Sequence, residues 1–339
     1  MEQTRRKRVL IVGAGGFAGG FLAAEGLRRG YEVWAGVRHS TSREFLQDPR
    51  LKFIEFDFDS HETLTAVLSE ALPEGKRWDY IIYNLGATKA LRFADFSRIN
   101  YDYLRYFTVA LQKSGKVPDK FLYMSSLSAM GPGDEKNYVP FTEKMIPRPN
   151  TKYGASKLKA EMWLATCGLP TVIFRPTGIY GPREKDYFLM FDSIKKGFDF
   201  SVGFRRQMLT FIYVEDLANA AYDALDRAPI GETYLISEER SYSQKEFRKL
   251  SLRSMGRRFA FPMRMPLWIV RIVSAIVEIW GVARMKPTTL NRDKYNIMAQ
   301  RNWSVDTSKA RHDFGFHAPT SLEKGIEKTV KWYMENGWL

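Results

Sequence analysis

A glycine-rich turn close to the start of the chain constrains the fold more than any other feature. Residues 9–12 (Val-Leu-Ile-Val) have the apolar, β-branched composition of a buried strand and run directly into Gly13-Ala14-Gly15-Gly16-Phe17-Ala18-Gly19. Glycines at 13, 16 and 19 allow a sharp turn into a helix and the close approach of a pyrophosphate, which the helix N-terminus attracts. The order strand, glycine turn, helix therefore predicts a dinucleotide site at Gly13, Gly16, Phe17 and Gly19.

Strand-like and helix-like segments alternate through the first half of the chain. Strands are predicted at residues 9–12, 33–37, 53–56, 80–83, 121–124 and 172–174, and helices at 17–29, 61–72, 102–113 and 153–166. Strands separated by helices favour parallel pairing, so we expect an α/β fold with a Rossmann-type, doubly wound parallel sheet.

The pattern changes after residue 175, where longer loops and mostly helical segments follow. The stretch 211–213, with a helix predicted at 214–227, is expected to return to the sheet, and further helices are predicted at 266–284, 307–314 and 322–335. We therefore assign 1–175 and 209–237 to the dinucleotide-binding domain. Segments 176–208 and 238–339 would form a smaller, interleaved, mainly helical lobe for the substrate.

Composition narrows the class of protein. The chain has 339 residues, of which 45% are hydrophobic and 27% charged, as in ordinary globular proteins. A single cysteine, Cys167, and only four histidines argue against an internal disulfide and a bound metal, and favour a reducing, cytoplasmic setting.

The net charge of +14 is compatible with nucleic acid, an anionic membrane surface or an anionic small molecule. The tight basic cluster at residues 5–8 is interpreted as a solvated arm, and without a nucleic-acid motif we expect a small-molecule substrate and no nucleic acid. The apolar segment 266–284 contains Arg271 and Glu278 and is too short to span a membrane. It is interpreted as a partly buried helix, with contact to a membrane surface left open.

Two strand ends carry the predicted contacts to the far half of the dinucleotide. Arg38 follows the second strand with no acidic residue beside it, and a guanidinium suits a ribose 2′-phosphate, whereas NAD enzymes usually place Asp or Glu there. We therefore expect NADP, with NAD as the alternative. Asp57 ends the third strand, where it could accept a hydrogen bond from the adenine amino group, with Phe58 lining that pocket.

Tyr153 and Lys157 lie four residues apart and so project from one face of the predicted helix. A neighbouring cation lowers the pKa of a phenol and fits it for proton transfer to a substrate oxygen, the step that must accompany hydride transfer. Ser125 and Ser126 end the fifth strand, where a hydroxyl could hold that oxygen. Asn100 is either a helix cap or the anchor of a water leading to Lys157.

These motifs resemble the extended short-chain dehydrogenase/reductases, the NAD-dependent epimerase/dehydratase family, over essentially the whole chain. Further marks are Asn84-Leu-Gly86-Ala, Ser125-Ser126-Leu-Ser-Ala-Met-Gly131, Arg175-Pro176-Thr-Gly-Ile-Tyr-Gly-Pro182 and Phe211-Ile-Tyr-Val-Glu-Asp216. The resemblance implies that Tyr153 is the acid/base, Lys157 its partner, Ser126 the catalytic serine and Asn100 a structural asparagine. It also implies cofactor contacts at Asn84, Gly86, Arg175 and Pro176, and a homodimer through helices 102–113 and 153–166.

Departures from the family pattern limit which of the family's reactions the chain is expected to catalyse. Ser126-Leu127-Ser128 stands where sugar-nucleotide dehydratases carry Thr-Asp-Glu, so 4,6-dehydration is not expected, and Gly178 replaces the diphosphate-binding Asn of many epimerases. Residues 30–38 are similar to the dihydroflavonol-reductase and 3β-hydroxysteroid-dehydrogenase branch. We expect interconversion of a ketone and a secondary alcohol. The alternatives are a nucleotide-sugar epimerase, which returns its hydride, and a non-catalytic NADP-binding relative.

Overall fold

A seven-stranded parallel sheet forms the centre of the computed structural model, which describes residues 5–90, 92–285, 288 and 290–339. The strand order is β3-β2-β1-β4-β5-β6-β11. These strands are β1 (Arg8–Val12), β2 (Glu32–Val37), β3 (Lys52–Glu55), β4 (Tyr80–Tyr83), β5 (Lys120–Met124), β6 (Thr171–Pro176) and β11 (Thr233–Ile236). The predicted doubly wound α/β fold is confirmed.

Helices cover both faces of this sheet because successive strand residues point to opposite sides. Val9 and Ile11 of β1 join one buried cluster, whereas Leu10 and Val12 join the other. The first cluster is closed by α1 (Phe17–Arg28), α7 (Val214–Arg227) and α11 (Ser308–Phe314). The second is closed by α2 (His61–Glu70), α4 (Tyr103–Lys113) and α5 (Lys152–Leu164).

The stretch 211–213 does not return to the main sheet, contrary to the sequence-based expectation. It forms β10 (Phe211–Tyr213), which pairs in parallel with β7 (Gly178–Tyr180) as a separate two-stranded sheet. The chain returns instead after α7 through β11, which pairs with β6. The sequence of a short apolar strand does not show whether it belongs to the main sheet or to a small separate sheet, because the strand it pairs with is distant in sequence.

The remaining elements lie outside the seven-stranded sheet. They are α6 (Lys185–Lys195), β8 (Phe198–Val202), β9 (Met208–Leu209), β12 (Tyr242–Ser243), α8 (Gln244–Ser254), β13 (Phe261–Met265), α9 (Leu267–Ala283), α10 (Arg292–Ala299) and α12 (Leu322–Glu335). A buried aromatic cluster in this part of the chain includes Phe191, Phe211 and Tyr333. Within the described ranges, no helix combines the length and apolarity needed to cross a membrane.

The helical segment that was predicted to begin at residue 102 begins at Phe93 instead, about two and a half turns earlier. A short helix, α3 (Phe93–Ser97), continues through a π-helical turn at Arg98–Asp102 into α4. Asn100 lies in that wide turn and is fully buried. Such π-turns are rare and commonly occur at functional sites, so the turn marks Asn100 as a candidate functional residue.

Candidate active site

The glycine turn after β1 has the geometry of a dinucleotide cradle. Gly13 has a φ of +87°, and a Cβ there would lie 2.8 Å from the backbone nitrogen of Leu85. A Cβ at Gly19 would lie 2.3 Å from the carbonyl oxygen of Gly13, so only glycine allows α1 to start this close to β1. Gly16 caps α1, Phe17 opens it, and Gly16 is exposed. The first turn of α1 thus presents its N-terminus to an anionic ligand.

The turn after β2 packs directly on this loop. A Cβ at Gly15 would lie 2.1 Å from Cγ2 of Thr41, and the Thr41 backbone N–H donates to the Arg38 carbonyl at 2.9 Å. The Arg38 guanidinium is exposed and makes no ion pair or hydrogen bond within the part of the chain that the structure describes. Arg43, in contrast, is held by Glu55 at 2.5 Å. Arg38 is therefore the cation of this turn that remains available to a ligand.

The two residues predicted to contact the adenine after the third strand differ in exposure. Asp57 is exposed, and its carboxylate accepts a hydrogen bond from the Asp59 backbone at 3.0 Å. Phe58 is buried, and its ring stacks on Tyr103 with the centroids 5.3 Å apart. The expected lining role of Phe58 is therefore wrong for its side chain, since the apolar ring gains more by packing in the core than at an open pocket. Ser60 caps α2 by accepting a hydrogen bond from the Thr63 backbone.

Asn100 joins the loop after β4 to helix α5. Its Oδ1 accepts from the Ala87 backbone N–H at 2.7 Å, and its Nδ2 donates to the Ala87 carbonyl at 3.1 Å and to Ser156 Oγ at 2.9 Å. A Cβ at Gly86 would lie 3.1 Å from Asn100 Oδ1 and 3.0 Å from Lys157 Nζ. Asn100 is thus not the helix cap that its position suggested, because its buried amide bonds both polar groups of Ala87. The Asn84 amide lies beside Gly16.

Tyr153 stands in the first turn of α5, next to the hydroxyl of Ser126. Thr151 caps this helix by accepting a hydrogen bond from the Gly154 backbone at 2.9 Å. Burial raises the pKa of the Tyr153 phenol to about 12, opposed by a hydrogen bond with Ser126. Ser126 itself accepts from the Ser128 backbone at 3.2 Å. At neutral pH the phenol therefore keeps its proton. The lowering of this pKa that was expected from Lys157 is not seen, because the Lys157 ammonium binds the Met124 carbonyl and not the phenol.

Lys157 lies one turn further along α5, and its ammonium is buried. Nζ donates to the carbonyl oxygen of Met124, the last residue of β5, at 2.8 Å, and lies 4.9 Å from the centroid of the Tyr123 ring. Burial lowers the pKa of Lys157 to about 8, and the Glu161 carboxylate opposes that shift. The ammonium is therefore mostly charged at pH 7 and becomes neutral above about pH 8.

Ser125 and Arg175 are both bound to a residue that the sequence analysis missed. Glu161 accepts hydrogen bonds from the Ser125 hydroxyl and from the Arg175 guanidinium, with Arg175 Nη2 at 2.5 Å from Glu161 Oε2. All three side chains are buried. Ser125 and Arg175 were expected to contact the cofactor. In the structure both side chains instead bind the Glu161 carboxylate. The spacing from Lys157 to Glu161, one helical turn, was the available sequence signal.

Gly178 is covered by Tyr187, a second residue that the sequence analysis missed. A Cβ at Gly178 would lie only 2.2 Å from the Tyr187 hydroxyl. An Asn at this position would need Tyr187 to move. Nearby, Leu127 is buried in a separate core cluster, so the position where sugar-nucleotide dehydratases carry an acid packs here as an apolar residue.

A narrow cleft opens beside the N-terminal end of α5. It is lined by Phe96, Lys152, Glu278, Gly281, Val282, Asn291 and Asp293, among others. Asp293 of α10 accepts the Tyr153 backbone N–H at 3.1 Å, and Glu278 of α9 lies 3.2 Å from Lys152 Nζ. Helices α9 and α10 thus contact the start of α5 directly. No local sequence pattern pointed to Asp293.

The structure brings most of the predicted site residues to one edge of the sheet. Gly13, Arg38, Asn84 and Ser125 directly follow β1, β2, β4 and β5, and Pro176 ends β6. Parallel strands place their carboxyl ends together, at the edge where doubly wound sheets bind ligands. Ser126, Tyr153 and Lys157 stand beside the same edge. The glycine turn and the residues expected to transfer a proton therefore lie at one edge of the sheet.

Comparisons with known proteins agree with this arrangement. A family model described as the NAD dependent epimerase/dehydratase family matches residues 9–237. A dTDP-glucose 4,6-dehydratase of Neisseria gonorrhoeae is 24% identical over 367 residues, covering 99% of this chain and 98% of the relative. A ceramide reductase of Caulobacter vibrioides is 25% identical over 341 residues, covering 100% and 98%. Among solved structures, a UDP-glucuronic acid 4-epimerase from Bacillus cereus in complex with NAD gives a TM-score of 0.75 at 18% identity, covering 97% of this chain and 99% of that one.

Proposed function

Because the chain belongs to the NAD dependent epimerase/dehydratase family, we propose that it is an enzyme that interconverts a ketone and a secondary alcohol on an apolar substrate. The observation that carries this proposal is the placement of Tyr153, Ser126 and Lys157 beside the glycine cradle of β1 and α1. A bound nicotinamide dinucleotide would supply the hydride or accept it.

The side chains of this chain would manage the proton. The Ser126 hydroxyl would hold the substrate oxygen next to the phenol of Tyr153, whose pKa it already lowers against the effect of burial. In the reducing direction Tyr153 gives its proton to that oxygen, and the Lys157 ammonium stabilises the phenolate that remains. In the oxidising direction the same phenolate removes the proton from the alcohol.

The cradle fits a dinucleotide because added Cβ atoms at Gly13 and Gly19 would collide with backbone. We propose NADP, since the exposed Arg38 guanidinium suits a 2′-phosphate and its turn packs on the glycine loop. The family description and the solved relative with bound nucleotide name NAD instead. The preference between the two cofactors is accordingly one of the quantities to measure.

Three observations support a reductase or dehydrogenase over other chemistry of the family. Leu127 is buried where a dehydratase needs an acid, and Tyr187 fills the space that a diphosphate-binding Asn at position 178 would need. The ceramide reductase is similar over the whole length of both chains, which supports an apolar substrate. The resemblance of residues 30–38 to the dihydroflavonol-reductase and 3β-hydroxysteroid-dehydrogenase branch adds to this support.

A nucleotide-sugar epimerase is the second candidate, and the named relatives favour it at least as strongly. The dehydratase and the epimerase described above both carry nucleotide-sugar names and align over nearly the whole chain. Tyr153, supported by Lys157, would then take the proton from the hydroxyl group on one sugar carbon and later return it to the same oxygen, while the hydrogen on that carbon would go to the cofactor as hydride and come back. Such an enzyme would regenerate its cofactor in each cycle.

Net cofactor turnover separates the two candidates. The purified chain is incubated with NADPH or NADH and a panel of long-chain keto-amides, ketosteroids and flavonoid ketones, and separately with UDP- and dTDP-sugars. We expect net oxidation of the cofactor with an apolar ketone, and its loss in Tyr153→Phe. Epimer formation without net oxidation would overturn the reductase in favour of the second candidate. Inactivity on every substrate, with the cofactor bound normally, would favour a non-catalytic relative.

The division into a dinucleotide-binding domain and a substrate lobe, and a homodimer through α4 and α5, are further proposals. Light scattering on the purified chain tests the dimer, and a monomer at working concentration would remove it.

A further inference from the structure

Helix α9 carries an apolar surface that the fold does not use. Its inner side packs Val270, Ser274 and Gly281 against the protein. Its outer side presents Trp268, Ile272, Ile276, Ile279 and Trp280, which are between 52% and 64% exposed. The spacing of three to four residues places these five side chains in one stripe, which we call the α9 face. A surface helix normally turns polar groups to water, so an apolar outer side indicates a partner.

Neighbouring strands extend this exposed apolar surface along the chain. Strands β8 and β13 pair in parallel, and their opposed residues Phe198 and Phe261, and Phe200 and Met263, are all exposed. The Gly203 backbone N–H donates to the Met265 carbonyl at 2.9 Å, directly before α9 begins. The exposed apolar residues of β13, which pair with those of β8, therefore lie directly before α9 in the chain.

Positive charges accompany this surface, and they are unpaired. Between residues 255 and 285 the sequence has five arginines and one acidic residue, Glu278. The arginines are all exposed, and none forms an ion pair within the described ranges; they are Arg257, Arg258, Arg264, Arg271 and Arg284. Glu278 is already engaged by Lys152 at 3.2 Å and Arg292 at 3.6 Å. The segment thus presents net positive charge around apolar side chains.

We propose that the α9 face, together with β8 and β13, docks on the surface of an anionic lipid bilayer, with α9 lying in the plane of the interface. Apolar side chains would enter the acyl boundary, while the arginines would bind lipid phosphates. Trp268 and Trp280 suit the headgroup level, where indole rings find both an apolar and a polar environment. A second copy of the chain fits this surface less well, because it would bring two sets of unpaired arginines together.

Docking would place the membrane close to the catalytic helix. Glu278 of α9 contacts Lys152, the residue before Tyr153, and the cleft beside them is lined by Val282 of α9 and by Phe96. An amphiphilic ketone could then reach the site from the bilayer. This last step rests on the proposed function, whereas the docking itself does not.

Vesicle binding tests the docking without any substrate. The full chain is sedimented with phosphatidylcholine vesicles that contain or lack phosphatidylglycerol, and tryptophan emission is recorded. We expect binding to the anionic vesicles, a blue shift of the emission, and weaker binding as salt is raised. Tyr153→Phe should bind like the wild type while losing turnover. A chain that turns over substrate but ignores vesicles would overturn the docking and leave the proposed function intact.

A matched set of variants locates the binding surface. The triple variant Ile272→Gln, Ile276→Gln, Ile279→Gln should weaken vesicle binding at least about tenfold. Ile146→Gln, Ile230→Gln is the control, because these isoleucines are 75% and 56% exposed on other parts of the surface. Thermal unfolding verifies that both variants fold. Equal vesicle binding by the two variants would overturn the proposal. It would also be overturned if light scattering showed that the triple variant loses self-association while neither it nor the wild type binds vesicles.

Discussion

The hydroxyl of Tyr187 occupies the space that a side chain at position 178 would need, 2.2 Å from where the Cβ would lie. The next atoms around that point are the Tyr187 Cζ and Phe211 Cδ1, both at 3.4 Å. One oxygen atom therefore decides whether residue 178 can carry a side chain. The contact gives a steric reason for the glycine at position 178, where many related epimerases have Asn.

Gly178→Ala should destabilise the protein by about 1–3 kcal/mol, because the methyl group would collide with the Tyr187 hydroxyl. In a Tyr187→Phe background the same substitution should cost less than about 1 kcal/mol, since 3.4 Å is ordinary contact. Urea unfolding of the four proteins in this double-mutant cycle measures both values. Equal costs in the two backgrounds would contradict the steric explanation.

Glu161→Gln should move the pH dependence of the reaction to lower pH. Burial lowers the pKa of Lys157, and the Glu161 carboxylate partly offsets this, so that the pKa lies at about 8. Without the carboxylate that pKa falls, so the ammonium that supports Tyr153 is lost at a lower pH. The measurement is kcat/KM for reduction against pH, with wild-type activity declining above about pH 8.

Ser125→Ala is the control for this experiment, because it removes a hydrogen-bond partner of Glu161 without changing any charge. Its pH midpoint should stay where the wild type has it. A Glu161→Gln variant that is merely less active, with an unmoved midpoint, would show that Glu161 acts only through the structure.

Arg38→Gln should reduce the preference for NADPH over NADH by about tenfold to a hundredfold, the contribution of hydrogen bonds to a charged phosphate. The ratio of kcat/KM values for the two cofactors gives the result. Arg43→Gln carries the same change of charge in the same turn, but Arg43 is bound to Glu55, so we expect a smaller effect. A wild type that prefers NADH would refute the assignment of NADP.

Asn100→Ala should lower the free energy of unfolding by about 1–3 kcal/mol, because the backbone of Ala87 loses its buried partners. Asn100→Asp keeps an acceptor for the Ala87 N–H but loses the donor to Ser156. Chemical denaturation should order stability as wild type, Asn100→Asp, Asn100→Ala. Identical midpoints for all three proteins would remove Asn100 as a structural link to α5.

The sequence alone was sufficient for the parallel sheet, the glycine turn after β1 and the position of Tyr153 and Lys157 one turn apart on the same helix. Each of these depends on local rules: alternating strands and helices, a turn that only glycine allows, and the four-residue spacing of one helix face. These features needed no knowledge of which distant segments meet.

Only the tertiary structure decided the remaining features. It placed 211–213 outside the main sheet, joined Glu161 to Arg175, set Tyr187 over Gly178 and left the outer side of α9 uncovered. These outcomes depend on contacts between residues far apart in the chain, and a local pattern holds no information on the partner. The apolar residues of α9 predict a helix equally well whether its outer side meets protein, lipid or water, because periodicity reports the shape of a segment and not its surroundings.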